Sequence, residues 1–378
     1  MKNISIYIHW PFCKSKCPYC DFNSHVRDNI EIHKWNEAYL TEIENNRDNL
    51  IGKNIASVFF GGGTPSLMPS FIVSNIIDKL ASIANIDATT EITFEANPTS
   101  VEIKKFKEFS SAGINRVSLG VQSFNDKDLK FLGREHSLNE ALDAIEVARQ
   151  HFKRYSFDLI YALPNQSLSA WENELSSALK IADKHLSLYQ LTIEKGTPFY
   201  GLHQKKKFTI PNEELAKDFY DLTQNIMNDA KLKAYEISNH AALNEECRHN
   251  LAYWQYDEFI GIGPGAHGRI NNHALHSIYH PENWLNAVLT NKPTAQAMNL
   301  LTTDDKVCEM LLMGLRLNKG INQQDFISKT NHDFSYFSKK KLDWMLESNF
   351  LKLENNNLFA TDKGKLVLNS IIEQLLSN

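Results

Sequence analysis

The chain has 378 residues, 42% hydrophobic and 22% charged, with a formal net charge of −5. That length suits one large domain and a smaller one, and the charge leaves no footprint for wholesale nucleic-acid binding. It contains no apolar run of about eighteen residues to span a membrane. MKNISIYIHW lacks the apolar core and cleavage site of a signal peptide, so a cytoplasmic setting with reduced thiols is expected.

The first predicted strand is ISIYIHW (4–10), followed by helical text near 30–50. Between them stands HWPFCKSKCPYCDFNS (9–24), which places Cys13, Cys17 and Cys20 within eight residues. Five cysteines, three of them clustered, are not a disulfide framework. Thiolates at this spacing suit zinc or an iron–sulfur cluster. Zinc wants four ligands in a closed tetrahedron, and only His9 and His25 are near in sequence. In a four-iron cubane, three protein thiolates leave one iron open to a substrate or cofactor. Three unrelated buried cysteines are the plain alternative, weakened by how closely these three are spaced.

IASVFFGGG (55–63) precedes an amphipathic stretch near 70–84. EITFEANP (91–98) precedes VEIKKFKEFSSAG, and RVSLGVQSF (116–124) precedes SLNEALDAIEVARQ. RYSFDLIYALP (154–164) precedes SAWENELSSALKIAD. HLSLYQLTIEKGTP (185–198) precedes a helix near 212–230. Six strand–helix units with near-continuous apolar strands predict a parallel sheet buried on both faces. Composition does not separate an incomplete barrel from an open doubly wound sheet. The strands end in GGGTP, EANP, VQSF, DLIYALP and IEKGTP, at the end where parallel α/β folds bind ligands.

Beyond residue 240 the pattern changes. AYEISNHA (234–241) reads as strand and turn, and 247–268 as an aromatic, loop-rich segment. From Asp304 helices dominate, then FLKLENNNLFATDKG reads as a hairpin with a polar tip. The division expected is a core domain over 1–240, a connecting segment over 241–300 and a winged-helix-like domain over 301–378. The lysines at 339–341 read as a solvated helix face, not a nucleic-acid contact. KLVLNSIIEQLL reads as a core-facing terminal helix, although one amphipathic face is all that a peripheral membrane contact needs.

C-x3-C-x2-C, with Tyr19 before the last cysteine, resembles the signature of the radical SAM superfamily. GGGTP (61–65) matches that superfamily's glycine motif. YIHWPFC, FGGGTP, EANP, SLGVQSF, GREH, DLIYALP and YQLTIE are similar, in order, to one subfamily's pattern. That subfamily contains the anaerobic coproporphyrinogen III oxidase and a branch of heme chaperones. The resemblance implies an α/β fold, an incomplete (βα)6 parallel barrel with a small C-terminal winged-helix-like domain. It implies a [4Fe-4S] cluster on Cys13, Cys17 and Cys20. It implies S-adenosylmethionine contacts from Tyr7, Tyr19, Gly62, Gly63, Thr64, Glu95, Gln122, Arg134 and Asp158. The chemistry agrees: Glu95 and Asp158 suit ribose hydroxyls or an ammonium, Arg134 suits a carboxylate gripped by two bonds, and Gln122 both donates and accepts.

Three features resemble the chaperone branch. Phe22 stands where the oxidase pattern has a further cysteine. The chain starts six residues before Tyr7, without the oxidase's N-terminal extension. HNLAYW (249–254) matches the branch's HN-x-x-YW signature. The branch implies heme contact by His249, Asn250, Tyr253 and Trp254, with an imidazole for the iron and aromatic rings for the porphyrin. Cys247 is a second candidate ligand. The implied partners are heme and acceptor apoproteins such as respiratory enzymes. The alternative is an enzyme, an oxygen-independent coproporphyrinogen III oxidase of porphyrin biosynthesis that abstracts a propionate β-hydrogen. A radical SAM methyltransferase often needs extra cysteines or a cobalamin domain, and neither is seen.

Overall fold

The computed structural model describes residues 2–377. Six strands lie side by side, all parallel, in chain order. They are β1 (Asn3–Trp10), β2 (Asn54–Gly62), β3 (Glu91–Ala96), β4 (Arg116–Gln122), β5 (Arg154–Tyr161) and β6 (His185–Gln190). The helices between them start where local chemistry directs. Ser137 and Glu140 close a reciprocal capping box on Leu138–His151, and Ser167 caps Leu168–Leu179.

Successive residues of each parallel strand face opposite sides of the sheet, and both sides are largely buried. Ile4, Ile6, Ile8 and Trp10 of β1 join the core beneath the helices, as do Ile92 and Phe94 of β3. The intervening residues carry polar groups that bond to one another. Ser57 Oγ donates to Ser5 Oγ at 2.9 Å, Arg116 Nη2 to Ser156 Oγ at 3.0 Å, and Ser118 Oγ to Asp158 at 3.3 Å. The sheet is buried on both faces, as expected, but the strands are less continuously apolar than expected. One face is an apolar seat for helices, and the other is a polar inner wall.

Past β6 the sheet turns antiparallel through β7 (Lys233–Ala234) and β8 (Asn239–Ala241). On the far side of β1, β9 (Phe259–Ile262) adds another parallel strand. β10 (His267–Ile270), β11 (His273–Ser277) and β12 (Ala295–Leu300) follow antiparallel. The order is β12-β11-β10-β9-β1-β2-β3-β4-β5-β6-β8-β7. Residues 247–268, expected to be loop-rich, thus hold a helix, Arg248–Trp254, and strand β9. Residues 241–300 contribute strands to the main sheet as well as connecting segments. Glycine permits the close fit: Gly263 has φ +111°, and a Cβ there would lie 2.5 Å from the His9 carbonyl oxygen.

The C-terminal part has its own core, built on helices Thr303–Gly314, Gln323–Thr330 and Lys339–Glu347. The expected hairpin is β14 (Leu351–Glu354) with β15 (Asn357–Ala360), flanked by β13 (Ile321–Asn322). Asn355 and Asn356 at its tip both have positive φ, as a type I′ turn demands. The terminal helix Leu368–Leu376 spends its apolar face on this core through Leu368, Ile371, Ile372 and Leu375. Among the described residues no helix is long and apolar enough to cross a membrane.

Candidate functional site: a thiol pocket and an adjoining cleft

Cys13, Cys17 and Cys20 line one pocket at the C-terminal ends of the parallel strands. The loop after β1 is folded back by a bridge in which Phe12–Cys13 pairs with His25–Val26. Thr64 Oγ1 donates to Cys13 Sγ at 3.4 Å, and Arg134 Nη1 donates to Cys17 Sγ at 3.3 Å. Burial pushes the Cys13 and Cys20 thiols up, so deprotonation calls for a bound cation. Among the described residues no three ligating side chains converge on a single metal-ion position. His9 and His25 do not complete a zinc site. His9 Nε2 donates to the Asn23 carbonyl at 2.9 Å while Nδ1 accepts from Tyr7 at 3.0 Å, and His25 Nε2 bonds Asn23 Oδ1 at 2.8 Å. Three thiols spread round one pocket, two with donors on sulfur, fit a multinuclear iron–sulfur cluster.

Gly62, Gly63, Thr64, Glu95, Gln122 and Asp158 share this pocket with the thiols. Gly62 has φ +111°, and a Cβ would sit 2.6 Å from the His9 ring. At Gly63 a Cβ would sit 2.7 Å from the Phe12 carbonyl oxygen. Both glycines are therefore required by space. Burial, and next to it the Asp158 charge, raises the Glu95 carboxyl to about 8, opposed by a bond from the Gly62 amide. Asp158 is raised to about 6 by burial, against bonds from Ser187 and Ser118. Gln122 has φ +73° without being glycine, a strain of about 1–3 kcal/mol that clusters at functional sites.

Tyr19 also lines this pocket, its hydroxyl bonded to Cys17 and its ring 6.3 Å from Phe199. The Arg134 guanidinium bonds to groups of the chain itself. Nη1 holds the Cys17 sulfur, and Nη2 holds Asn97 Oδ1 at 2.5 Å and the Gly120 carbonyl at 2.8 Å. Nε is buried without a partner. Asn97, which also donates to Thr64 at 3.2 Å, was visible in EANP only as part of a pattern.

A second cleft, of about 820 Å³, adjoins this pocket through Phe22, Gly62 and Glu95. That volume is ample for a large organic ligand. Tyr7 lies on its wall rather than among the thiols. His249 stacks on Phe59 at 4.9 Å and on Tyr7 at 5.8 Å. Its Nδ1 is buried without a partner, and burial lowers its basicity to about 4, so the imidazole is neutral. Tyr253 and Phe259 complete the apolar side, and Arg269, Glu309 and Met313 close the end towards the C-terminal domain. Arg269 stacks on Tyr256 at 3.7 Å.

HNLAYW does not act as one unit, because its helix points successive residues in different directions. His249 and Tyr253, four apart, share the cleft. Asn250 instead donates to the Tyr235 hydroxyl at 3.3 Å, and Trp254 faces a different pocket beside Met310 and Leu317. Cys247 is no partner for His249. It is buried against Glu91 at 3.5 Å and Arg116 at 3.6 Å, and burial pushes its thiol up to about 12. Glu91 also accepts from the Arg248 amide at 2.9 Å and from Arg154 at 2.6 Å, fixing the start of this helix. Nothing in the sequence marked Glu91 for that task.

A family model of the radical SAM superfamily matches residues 7–178, and one of the HemN C-terminal domain matches 301–367. Heme chaperone HemW of Buchnera aphidicola subsp. Schizaphis graminum is 37% identical, covering 99% of this chain and 98% of that protein. Heme chaperone HemW of Escherichia coli strain K12 is 33% identical over 99% of this chain and 98% of its own. Radical S-adenosyl methionine domain-containing protein 1, mitochondrial, of Danio rerio is 33% identical over 98% and 86%. Among solved structures, coproporphyrinogen III oxidase (HemN) from Escherichia coli, described as a radical SAM enzyme, has a TM-score of 0.83 at 20% identity. It covers 100% of this chain and 90% of its own, a likeness of fold.

Proposed function

The chain belongs to the radical SAM superfamily and, within it, to the HemW family, and on that premise we propose that it is a heme chaperone. It binds heme in the cleft beside the thiol pocket and passes it to acceptor apoproteins, respiratory enzymes among them, in the cytoplasm. The observation that carries this reading is His249: a neutral imidazole, stacked on the rings of Tyr7 and Phe59, on the wall of a cleft large enough for a macrocycle. Neutral imidazole is the form that ligates iron.

Cys13, Cys17 and Cys20 would hold a [4Fe-4S] cluster. Gly62, Gly63, Thr64, Glu95, Gln122, Arg134 and Asp158 would hold S-adenosylmethionine. When bound, such a cluster supplies one-electron chemistry at an open iron. The chain's own part is to place carboxylates for the cationic groups and to shield the sulfurs with Thr64 and Arg134. Tyr7, between the two spaces, serves the cleft wall.

The alternative is the oxygen-independent coproporphyrinogen III oxidase. Phe22, 61% exposed where that enzyme's pattern has a cysteine, argues against it. The deciding experiment is a heme titration of anaerobically reconstituted protein, followed in the Soret band, with His249→Ala beside wild type. Saturable binding that weakens or shifts in the variant is expected. Absence of saturable binding, with turnover of coproporphyrinogen under anaerobic reducing conditions, would reverse the choice.

A further inference from the structure

Thr64, Asn97 and Arg134 come from three loops around the thiol pocket. Thr64 follows β2, Asn97 follows β3, and Arg134 lies between helices Asp126–Phe131 and Leu138–His151. Their side chains form one line of hydrogen bonds between two sulfurs. Arg134 Nη1 donates to Cys17 Sγ at 3.3 Å, and Nη2 donates to Asn97 Oδ1 at 2.5 Å. Asn97 Nδ2 donates to Thr64 Oγ1 at 3.2 Å, and Thr64 Oγ1 donates to Cys13 Sγ at 3.4 Å. Cys20 stands outside this line, with Ser24 Oγ 4.0 Å from its sulfur.

The direction of each bond follows from what each group can give. A guanidinium has donors and no acceptor, so Arg134 takes the oxygen end of the Asn97 amide. The nitrogen end then faces Thr64 and has only protons to offer. A threonine hydroxyl carries a single proton. Receiving from Asn97 leaves that proton free for Cys13. A single amide thus aims donors at both Cys13 and Cys17. Asn97 is itself held from behind. Its backbone N–H donates to Glu102 Oε2 at 2.9 Å, and the buried Glu102 also accepts from the Ser66 hydroxyl.

We infer that Asn97 is a positioning residue for the cluster, directing Thr64 to Cys13 and Arg134 to Cys17 and so raising the cluster's reduction potential. The inference rests on the reading of Cys13, Cys17 and Cys20 as cluster ligands. Hydrogen bonds to the sulfurs help to set the potential of an iron–sulfur cluster. Reduction adds negative charge, which a donor stabilises, so each such bond moves the potential upward.

Asn97→Asp is the sharp test. Its carboxylate still accepts from Arg134 but has no proton for Thr64. The Thr64 hydroxyl then donates to the carboxylate and turns away from Cys13. Midpoint potentials are measured on the anaerobically reconstituted full chain without S-adenosylmethionine, by redox titration followed with electron paramagnetic resonance. Asn97→Asp and Thr64→Val should each lower the potential, and Thr64→Ser should keep the wild-type value. The added charge of Asn97→Asp acts with or without the hydroxyl, whereas the relay needs it. The Asn97→Asp shift should therefore be smaller in Thr64→Val than in wild type. Asn97→Leu adds no charge and gives the same comparison where Asn97→Asp fails to load a cluster. An equal shift in the two backgrounds, or a wild-type potential in Asn97→Asp or Thr64→Val, overturns the inference and leaves the cluster reading standing. A wild type without sulfide-to-iron absorption removes both.

Discussion

Glu95 keeps its proton near neutrality because burial and the neighbouring Asp158 oppose its charge. Its folded value of about 8 lies above its ordinary 4.5. Between those values the folded chain holds a proton that the unfolded chain has released, so stability falls as pH rises through this window. Glu95→Gln should therefore raise the melting temperature of the cluster-free protein at pH 8 and leave it nearly unchanged at pH 4.5, as thermal scans at the two pH values would show. A bound ammonium group prefers the ionised carboxylate. Affinity for S-adenosylmethionine should accordingly rise from pH 6 to pH 8, and calorimetry should find the rise flattened in Glu95→Gln. At the thiols, Cys17→Ala should abolish the visible sulfide-to-iron absorption after anaerobic reconstitution. A normal cluster spectrum in that variant would remove Cys17 from the ligand set. The motif residues were legible one by one, but the partners of Arg134 were not, because Asn97, Gly120 and Cys17 meet only in space.

The helix Arg248–Trp254 carries the imidazole, and its placement depends on a cluster at the other end of the inner wall. Glu91 sits among Arg154, Cys247 and the Arg248 amide, with Arg116 behind Cys247. Glu91→Ala leaves these donors buried without their acceptor, a loss of about 3–5 kcal/mol. It should lower the urea midpoint with little change in slope, and weaken heme binding by tilting the His249 helix. Equal stability and unchanged heme affinity would show that the helix is anchored by other contacts. The helix was not legible in the sequence, because its seven residues are too short for a clear period. β9 was hidden likewise, since FIGI offers four residues and no alternation. The six parallel strands and the hairpin with its Asn355–Asn356 tip were legible, because their periodicity and turn chemistry are local.

The molecule has a large apolar core beneath the parallel sheet, a second in the C-terminal domain with Tyr256 built into it, and a small third around Phe199. The thiol pocket draws all its lining from residues up to Asp158. The adjoining cleft also needs Glu309 and Met313 of helix Thr303–Gly314. Removing residues 301–378 should therefore preserve cluster absorption but weaken heme binding, as paired iron–sulfur and Soret titrations would reveal. Retention of full heme affinity would confine the cleft's function to the sheet and the His249 helix.

Sequence alone determined the thiol triad, the run of strand–helix units, the ligand-binding end of the strands and the HNLAYW segment. Each of these is written in spacing, periodicity or composition over a few neighbouring residues. Only the tertiary structure decided that one face of the strands carries bonded polar groups, that Cys247 lies away from His249, and that His249 stacks on Tyr7 and Phe59. Those facts depend on which strands become neighbours, and residues brought together from 7, 59 and 249 leave no local trace of their meeting.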